Sequence, residues 1–438
     1  MSINNVQHIH CIGVGGIGVS AVAAFLPTQG KKVTGSDLSR SLVSERLEQM
    51  GMSITYGAHT VANFPEQTEA VIYSPAISET NPERVAAQTK GIAQYSYPEA
   101  VAQITVGKKL IVVSGTHGKS TTTSMIAHIL MHAGKDPLVI VGTLVPEFDG
   151  NMHAGNGEYA VIEGDEYRRS FYAYTPYVFV VTNIEADHLD YYTDLRDIQS
   201  AFTHVAQQVT SSGCIISRLE DAPVQQSLKE GIHARQVDYG EWVSKVRSMT
   251  LMVPGEHNRL NASAAWATAA VLGISDETIR EALATFSGVW RRFEVKGTFK
   301  GVTVVDDYAH HPSEISATIS AARERFPGKN IWCIFQPHQR SRTKKFFADF
   351  VRELTKADHV VVTRIYDVAG REHEESVSGK DLYSEVEKKI GGRSAYVDRI
   401  ADIPEYIVQK VQQGDIVITM GAGSITTVNE ALIREIQK

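Results

Sequence analysis

A lysine and several hydroxyl side chains follow a glycine-rich turn in residues 110–123, which read LIVVSGTHGKSTTT. The apolar, β-branched beginning of this segment predicts a buried strand, and its polar end predicts the first turn of a helix. Such a turn directs backbone N–H groups and a helix N-terminus towards one point, which suits a polyphosphate. Lys119 would add a charge for the β- and γ-phosphates, and the Ser120 hydroxyl would offer a ligand to Mg²⁺. The segment therefore predicts a phosphate-binding loop.

This loop is a shortened relative of the usual pattern, which has a glycine five positions before Gly118. Val113 occupies that position. The alternative is an ordinary strand–helix turn with a solvated lysine, but the buried strand before it and the helix after it favour phosphate binding. The candidate phosphate-binding residues are Gly115, Thr116, His117, Gly118, Lys119, Ser120 and Thr121.

A second glycine-rich turn lies near the beginning of the chain, before an apolar helix that starts near Ile17. Its glycines allow a diphosphate to approach the backbone, and Asp37 follows where dinucleotide-binding folds place an acid against a ribose hydroxyl. On its own the turn fits NAD(P) as well as another nucleotide, although a second phosphate loop disfavours a hydride-transfer enzyme. The candidate residues of this turn and its neighbouring strand ends are Gly13, Gly15, Gly16, Gly18, Ser36, Asp37 and Ser74.

Polar residues also follow two apolar segments of the middle region. Glu163 comes directly after YAVI, and residues 183–188 follow VFVVT. Ligands of parallel α/β sheets bind at the carboxyl ends of the strands, so these side chains are candidates for a site. Other short motifs follow in order along the chain: EGDE at 163–166, TNIEADHLD at 182–190, GEHNRLN at 255–261, RRF at 291–293, DDYAHHP at 306–312, FQPHQRSRT at 335–343 and TMGAG at 419–423.

The order of these motifs resembles that of the Mur ligases, the amino-acid-adding enzymes of bacterial peptidoglycan assembly. The resemblance covers the whole chain and is greatest to the branch that adds L-alanine to UDP-N-acetylmuramate. It implies an ATP-dependent ligase that forms an acyl phosphate on the sugar carboxylate before the amine attacks. It also implies a cytoplasmic location, and it assigns the first glycine turn to the UDP part of the sugar nucleotide.

The resemblance further implies a magnesium centre, with two Mg²⁺ ions beside the ATP phosphates. Glu163 would bridge the two ions, Ser120 would complete the first site, and His188 would be a ligand of the second ion. Mg²⁺ prefers oxygen ligands, so a simple hydrogen-bonding role for His188 at a strand end is the alternative.

Two asparagines precede an alanine-rich segment that predicts a helix. Asn258 and Asn261 are three residues apart, so both can lie on one helix face. An asparagine amide can pair with an adenine edge, and the resemblance supports this role; an N-cap run is the alternative.

The last third of the chain offers several charged candidates. Arg291 or Arg292 is expected to approach the phosphates, a role that suits the permanently charged, planar guanidinium. The resemblance places 306–312 at the ATP and amino-acid side of the cleft. Arg340 and Arg342 could hold a carboxylate, with surface arginines as the alternative for each. The residues assigned to catalysis in this region are Arg291, Asp307, His310 and His311.

The chain departs from the family pattern at the acidic motif, where Glu-Ala-Asp-Glu-Ser-Asp is replaced by Glu163-Gly-Asp-Glu-Tyr-Arg168. Tyr167 is similar to the related ligase that reattaches the tripeptide L-Ala-γ-D-Glu-meso-diaminopimelate to UDP-N-acetylmuramate. Residues 335–343 and 419–423 instead resemble the alanine-adding branch. Residues 238–251 are also short for the family, which predicts an altered shape in a peripheral region.

Bulk composition agrees with an α/β enzyme of several domains. The chain has 438 residues and a net charge of −7, which disfavours a nucleic-acid partner. Its three cysteines are far apart in apolar segments, which is typical of reduced core residues. No segment has the length of a membrane span or the pattern of a secretion signal. We expect three α/β domains: a Rossmann-like UDP-sugar domain at 1–106, a central ATP domain with a mostly parallel sheet at 107–290, and a Rossmann-like domain at 291–438 that binds the amino acid and closes over ATP.

Two functions of other classes remain open at this point. A phosphate-loop ATPase would hydrolyse ATP without a sugar nucleotide. A catalytically silent UDP-sugar sensor would bind without turnover, but the presence of Lys119, Glu163 and His188 disfavours it. The sequence leaves the oligomeric state open.

Overall fold

The computed structural model describes residues 2–229, 231–367 and 376–434. The chain divides into two compact units. The first unit comprises Met1–Thr250 and Leu260–Phe286, and the second comprises Leu251–Arg259 and Ser287–Lys438.

The first unit begins with a five-stranded parallel sheet of order β3-β2-β1-β4-β5. Its strands are β1 His8–Ile12, β2 Lys32–Asp37, β3 Ser53–Tyr56, β4 Ala70–Tyr73 and β5 Ala93–Ser96, and its helices are α1 Ile17–Thr28, α2 Leu42–Gln49, α3 Pro82–Thr89 and α4 Tyr97–Ile104. Strand β1 is buried beyond its first residue and lies at the centre of the sheet, with β2 and β4 on either side. The glycine turn that follows β1 therefore lies at the carboxyl edge of the central strands, where ligands of open parallel sheets bind.

A second sheet in the same unit has seven strands in the order β12-β11-β10-β6-β9-β7-β8. Its strands are β6 Lys109–Ser114, β7 Leu138–Val145, β8 Gly150–Ala154, β9 Tyr159–Glu163, β10 Val178–Val181, β11 Cys214–Ser217 and β12 Arg235–Asp238. All pairs are parallel except β7 with β8, which form an antiparallel edge hairpin. Strand β6 lies between β10 and β9, so the loops after these three strands meet at one edge.

This part of the chain also contains helices, the first of which packs on β6, β7 and β9. They are α5 Lys119–His132, α6 Leu195–Gln207, α7 Ala222–Ser227, α8 Val243–Arg247, α9 Glu256–Val271 and α10 Asp276–Thr285, with α9 beginning in the second unit. Asp194, Asp221 and Ser275 cap α6, α7 and α10, because each side chain accepts a hydrogen bond from a backbone N–H of the first turn.

The second unit contains a six-stranded sheet of order β13-β14-β18-β15-β16-β17, in which only the edge strand β13 is antiparallel. Its strands are β13 Glu294–Phe299, β14 Val302–Asp307, β15 Ile331–Phe335, β16 His359–Val362, β17 Ser394–Tyr396 and β18 Ile416–Met420. Its further helices are α11 Pro312–Arg325, α12 Arg340–Lys345, α13 Phe347–Leu354, α14 Gly379–Ile390, α15 Ile403–Lys410 and α16 Thr427–Arg434. One apolar cluster covers each face of this sheet, and β15 contributes to both.

The predicted α/β class with mostly parallel sheets is confirmed. The β7–β8 hairpin and the edge strand β13 were not predicted. Strands β8 and β13 lack an apolar run, whereas β7 has one at 138–141, between Pro137 and Gly142, that the sequence analysis did not use. The domain limits at 106 and 290 remain predictions. The three cysteines are free and buried, as expected for core residues. Within residues 2–229, 231–367 and 376–434, no helix combines the length and apolar character that a membrane crossing requires.

Candidate active site

The phosphate loop connects β6 to α5 and is clamped by the end of β10. The Asn183 side chain accepts a hydrogen bond from the His117 N–H at 2.9 Å and donates one to the His117 carbonyl at 3.0 Å. The Thr182 hydroxyl donates to the same carbonyl at 2.6 Å, and the Thr116 N–H donates to the Asn183 carbonyl. Hydrogen bonds from the end of β10 therefore hold the phosphate loop in place.

Two glycines of this loop are required by geometry. Gly115 and Gly118 have φ values of +138° and +83°, which side-chain-bearing residues rarely adopt. A Cβ at Gly115 would lie 2.0 Å from the Thr182 hydroxyl, and one at Gly118 would lie 2.3 Å from Asn261 Oδ1. Asn261 is thus packed directly against the phosphate loop, beside the candidate nucleotide site.

Lys119 begins α5 and points back over the loop. Its ammonium group donates to the Gly115 carbonyl at 2.6 Å and lies 2.9 Å from Glu166 Oε2. Burial lowers the pKa of Lys119, but the carboxylates of Glu166, Asp165 and Glu163 outweigh it and leave that pKa raised. The lysine therefore carries its positive charge at neutral pH, as a phosphate-binding group must.

Glu163 ends β9 beside the phosphate loop. Its Oε2 atom accepts hydrogen bonds from the Ser120 hydroxyl at 2.9 Å and from the Gly142 N–H at 2.7 Å. A Cβ at Gly142 would lie 2.7 Å from the same oxygen, so this position has no room for a side chain. The predicted pair of Glu163 and Ser120 is thus brought together, with oxygen donors that suit Mg²⁺.

A second group of possible metal ligands includes Glu166, the ion-pair partner of Lys119. One ligand atom from each of Asp165, Glu166 and His188 lies within 4.8 Å of the others. Glu166 is buried, and burial raises its pKa while the Lys119 charge opposes that change. The His188 backbone has a φ of +51°, and its Nε2 atom lies 3.8 Å from Glu166 Oε1.

Sequence analysis did not single out Asp165 and Glu166. The signal was present in the acidic motif after β9, which carries three carboxylates in four residues. Alternation along an extended strand would have separated their side chains, and only the irregular backbone after Glu163 brings two of them beside His188.

The first glycine turn is built by two adjacent strand ends. The Gly13 N–H donates to the Ser36 carbonyl, and the Gly15 N–H donates to Asp37 Oδ2, both at 2.8 Å. Gly13 has a φ of +75° and packs on Ser74, whose Cβ would lie 3.1 Å from an added Cβ. A Cβ at Gly18 would lie 3.0 Å from the Tyr97 ring. The turn, Ser36, Asp37 and Ser74 therefore form one continuous surface, with Gly16 as the N-cap of α1.

Ser36 is fully buried rather than exposed to a ligand. Its hydroxyl donates to Glu83 Oε2 at 2.7 Å, and the Glu83 carboxylate also contacts His10 Nε2 at 2.7 Å and His59 Nδ1 at 2.6 Å. Burial raises the pKa of Glu83, but these three hydrogen bonds outweigh it and leave the pKa lowered. The Ser36 side chain thus bonds to the Glu83 network, while its carbonyl accepts the hydrogen bond from the Gly13 N–H of the glycine turn.

The second unit holds the remaining candidates, beginning with Arg291. Its side chain is 4% exposed, with Nε 3.2 Å from Asp306 Oδ2. The guanidinium also donates to the Gly421 and Gly423 carbonyls. Through Arg291, these contacts join β14 to the loop after β18.

Arg292 is more accessible than Arg291. Its Nη1 atom lies 3.4 Å from Glu314 Oε1, and the guanidinium carbon is 5.3 Å from the centre of the Tyr308 ring. A partly exposed side chain of this length can reach a ligand. Of the two predicted arginines, Arg292 is the more accessible one.

Asp307 is buried at the end of β14, where its oxygens accept hydrogen bonds from the Phe293 and Ala309 N–H groups at 2.8 Å. Burial raises the pKa of Asp307 to about 6, against the opposing effect of Arg292 and of these two hydrogen bonds. The carboxyl group could therefore exchange a proton near neutral pH.

The two histidines that follow β14 occupy different environments. His310 Nδ1 lies 3.3 Å from Glu314 Oε2 and 3.0 Å from the Tyr308 carbonyl oxygen. His311 caps α11 through Ser313, and its ring packs edge-on against Phe346 at 4.7 Å. His311 also lines a cavity with His257 at the first turn of α9.

Arg340 and Arg342 both lie on α12. Arg340 binds Asp367 Oδ2 at 3.0 Å and the Val377 carbonyl at 3.0 Å, while Arg342 Nη1 lies 3.4 Å from His338 Nδ1. Asn258 is in the second unit as well, where its amide donates to the Pro254 carbonyl.

Thr121, the last residue of the predicted phosphate loop, belongs to the first unit. It is buried in the first turn of α5.

Three family models of known proteins match successive segments of the chain. The family model described as "Mur ligase family, catalytic domain" matches residues 8–109, "Mur ligase middle domain" matches 113–269, and "Mur ligase, glutamate ligase domain" matches 291–423. These three segments cover most of the chain.

Full-length relatives agree with these matches. A UDP-N-acetylmuramate–L-alanine ligase of Desulforamulus reducens is 38% identical, over 99% of this chain and 98% of the relative. A protein of the same name from Clostridium botulinum is 35% identical, over 98% and 97%. The crystal structure of the UDP-N-acetylmuramate–alanine ligase of Thermotoga maritima superposes with a TM-score of 0.82 at 29% identity, and 99% of each chain is covered.

A murein peptide ligase of Psychrobacter arcticus has the same fold, with a TM-score of 0.71, 24% identity and coverage of 98% and 99%. Three consecutive family matches, full-length identity above one third and a common fold lead to one conclusion: this chain belongs to the Mur ligase family.

Proposed function

We propose that this protein is an ATP-dependent ligase that joins L-alanine to the carboxylate of UDP-N-acetylmuramate in cytoplasmic peptidoglycan precursor synthesis. The observation that carries the proposal is that two nucleotide-type turns, after β1 and after β6, belong to one compact unit. The relatives that match over their full length bear the name of this activity. Its domains are proposed at 1–106, 107–290 and 291–438.

Contacts inside the first unit support a common site for both turns. The Asn151 amide of β8 donates to the Ile17 carbonyl and, at 2.9 Å, to the Ser20 hydroxyl, which ties α1 to the second sheet. Tyr97 packs on Gly18, and after burial the carboxylates of Glu163 and Asp165 raise its pKa. A sugar nucleotide held by the first turn would thus extend towards the acidic motif beside the phosphate loop.

The phosphate loop is proposed to hold ATP. Lys119 and the loop N–H groups would position the γ-phosphoryl group and neutralise its charge, which are the main requirements of phosphoryl transfer. Asn258, Asn261 and Arg292 are proposed as further ATP contacts, while Arg291 would hold the backbone that presents Arg292.

Oxygen ligands at two places fit Mg²⁺. Glu163 with Ser120 would hold one ion, and Glu163 with His188, supported by Asp165 and Glu166, would hold a second. Bound Mg²⁺ would supply positive charge to the phosphate oxygens. The lysine at 2.9 Å from Glu166 would shift to the phosphates as they enter.

The chemistry then takes two steps. The sugar carboxylate attacks the γ-phosphorus of ATP, the bond to the β-phosphate oxygen breaks, and an acyl phosphate and ADP are formed. The neutral amine of L-alanine attacks the acyl carbon, and phosphate leaves with its electron pair as the amine loses a proton. Asp307, His310 and His311 are proposed to accept that proton or orient the amine, and Arg340 and Arg342 to hold the alanine carboxylate.

The test is ADP release from ATP with and without each other substrate. Turnover is expected only when UDP-N-acetylmuramate and an amino acid are both present, because the acyl phosphate forms only on a bound carboxylate. Equal ADP release with ATP and Mg²⁺ alone would contradict the ligase proposal and identify an ATPase.

A competition between equal L-alanine and L-Ala-γ-D-Glu-meso-diaminopimelate tests the acceptor. Predominant alanine product is expected, with some leakage to glycine and serine, since one methylene in an apolar pocket discriminates by only about 1–3 kcal/mol. Predominant tripeptide product would support the recycling ligase instead, the assignment that Tyr167 favours.

Variants test the assigned residues. Lys119→Ala and Glu163→Gln are each expected to lower turnover by roughly a hundredfold or more, because each removes a group that stabilises transition-state charge. UDP binding is expected to remain, since its predicted contacts lie on the first sheet. Full activity in either variant would contradict the role of that residue.

A further inference from the structure

The segment 165–169 has an unusual backbone. Arg168 and Arg169 have φ values of +52° and +57°, so two consecutive residues with large side chains adopt the left-handed conformation. Each such residue is strained by roughly 1–2 kcal/mol. Strain of this kind persists where the surroundings fix it, and it concentrates at ligand-binding segments.

Both neighbours of Arg168 are anchored by side-chain contacts. Arg169 binds Asp197 Oδ1 at 2.6 Å and donates to the Tyr172 hydroxyl at 2.7 Å. The Tyr167 hydroxyl donates to Asp190 Oδ2 at 2.9 Å. Arg168 lies between these two fixed points and is exposed. The segment therefore holds the backbone of Arg168 while its side chain remains accessible.

The Arg168 side chain reaches the first sheet. Its Nη1 atom donates to the Pro75 carbonyl at 3.3 Å. Pro75 follows Ser74, the residue that packs on Gly13 of the glycine turn. Consequently a guanidinium from the acidic motif lies beside the turn that is proposed to hold the sugar nucleotide.

Charge at this turn calls for a cation. The Gly15 N–H is bound to the Asp37 carboxylate, so one N–H of the turn is occupied and a negative charge lies beside it. The Arg168 guanidinium forms no ion pair with any residue that the structure describes, so its charge is available. A guanidinium matches phosphate oxygens through two parallel hydrogen bonds.

We propose that Arg168 binds the diphosphate of the sugar nucleotide and so determines its affinity. This inference rests on the proposed function, because it requires a UDP-sugar at the glycine turn. In this arrangement the strained backbone at 168–169 positions the Arg168 guanidinium, which comes from the acidic motif, over the nucleotide bound at the first sheet.

Titration calorimetry with UDP-N-acetylmuramate, UDP and uridine tests the proposal on the full chain. Arg168→Gln is expected to weaken UDP and UDP-N-acetylmuramate binding by roughly tenfold or more, as a charge-assisted hydrogen bond is lost. Uridine binding is expected to stay unchanged because it carries no phosphate. Arg168→Lys should recover part of the affinity, since lysine keeps the charge but not the paired geometry.

Arg196→Gln provides a matched control, because it makes the same charge change at an exposed position on α6. It is expected to bind all three ligands like the wild type. The Arg168→Gln variant should also raise KM for the sugar nucleotide with nearly unchanged kcat, the pattern of lost uniform binding.

Equal UDP affinity of the wild type and Arg168→Gln would overturn the inference while leaving the proposed function intact. A parallel loss of uridine binding in Arg168→Gln would also overturn it, because that pattern indicates a structural role for the segment. Failure of the wild type to bind UDP would instead refute the proposed function and, with it, the role of Arg168.

Discussion

Acidification is expected to destabilise the second unit through His257, whose ring lies in the first turn of α9. Burial lowers the pKa of His257 from 6.5 to about 4, with a further contribution from Arg292, while Glu314 and Glu324 oppose the change. In the unfolded chain the ring keeps a pKa near 6.5. As pH falls below 6.5, the unfolded chain therefore binds a proton before the folded chain does. The stability contributed by neutral His257 is present above pH 6.5 and is lost as pH falls towards 4.

The size of the effect follows from the two pKa values. A fall from 6.5 to about 4 corresponds to roughly 3 kcal/mol when the loss is complete. At pH 5 about two thirds of that loss has occurred. The residue as a whole is only half-buried, so water screens part of the effect. We expect a loss of about 1–2 kcal/mol between pH 8 and pH 5.

His257→Gln removes the titrating ring and keeps a neutral polar side chain. The free energy of unfolding is measured for both proteins in urea at pH 8 and pH 5. Hydrogen exchange of peptides from the second unit monitors the unfolding of that unit. The wild type should lose about 1–2 kcal/mol more than the variant, because all other titrations cancel in the difference. His233→Gln, at an exposed position in the first unit, is the control and should behave like the wild type.

Equal losses for the wild type and His257→Gln would refute this reasoning. So would a direct NMR titration in which the His257 ring protonates near pH 6.5 in the folded protein. A larger loss in the variant would show that the folded protein stabilises the charged form of the His257 ring rather than the neutral form.

Three further substitutions test the packing around the candidate site. Gly118→Ala should destabilise the first unit by more than about 1 kcal/mol, since its Cβ would lie 2.3 Å from Asn261 Oδ1 at a φ of +83°; an unchanged Tm would contradict the crowding. Gly164→Ala would place a Cβ 2.6 Å from Val112 Cγ1 and should lower the free energy of unfolding by roughly 1–3 kcal/mol. A double-mutant cycle with Val112→Ala should show that the two positions are coupled. Glu83→Gln should cost roughly 1–3 kcal/mol in urea unfolding, because it leaves a buried donor of the histidine network without an acceptor; a stability equal to wild type would exclude that network as a stabilising feature.

Local sequence was sufficient for the nucleotide turns. An apolar strand, a glycine turn and a helix beginning at Lys119 are properties of consecutive residues, and each appears in the structure where the pattern predicts it. The same holds for Glu163, which the sequence places at a strand end. These features depend on backbone conformations that only glycine tolerates and on apolar runs that only a sheet interior buries.

Pairing between distant residues had no such signal. Sequence analysis treated Arg291 as a phosphate-binding candidate, whereas the structure buries it against Asp306 and the loop after β18. It treated Ser36 as a ligand contact, whereas Ser36 lies inside a network around Glu83. Both differences arise because a residue type and its position in a motif do not specify which way its side chain points.

The sequence by itself determined the class of sheet, the two glycine turns and the family to which the motifs belong. Only the tertiary structure decided that Glu166 pairs with Lys119 and that Arg168 reaches Pro75. The physical reason is strand order: β9 and β10 flank β6 although they are separated in sequence, so their loops meet the phosphate loop only after the sheet has formed. The irregular backbone after β9 then sets which carboxylate faces the lysine and which cation faces the first sheet.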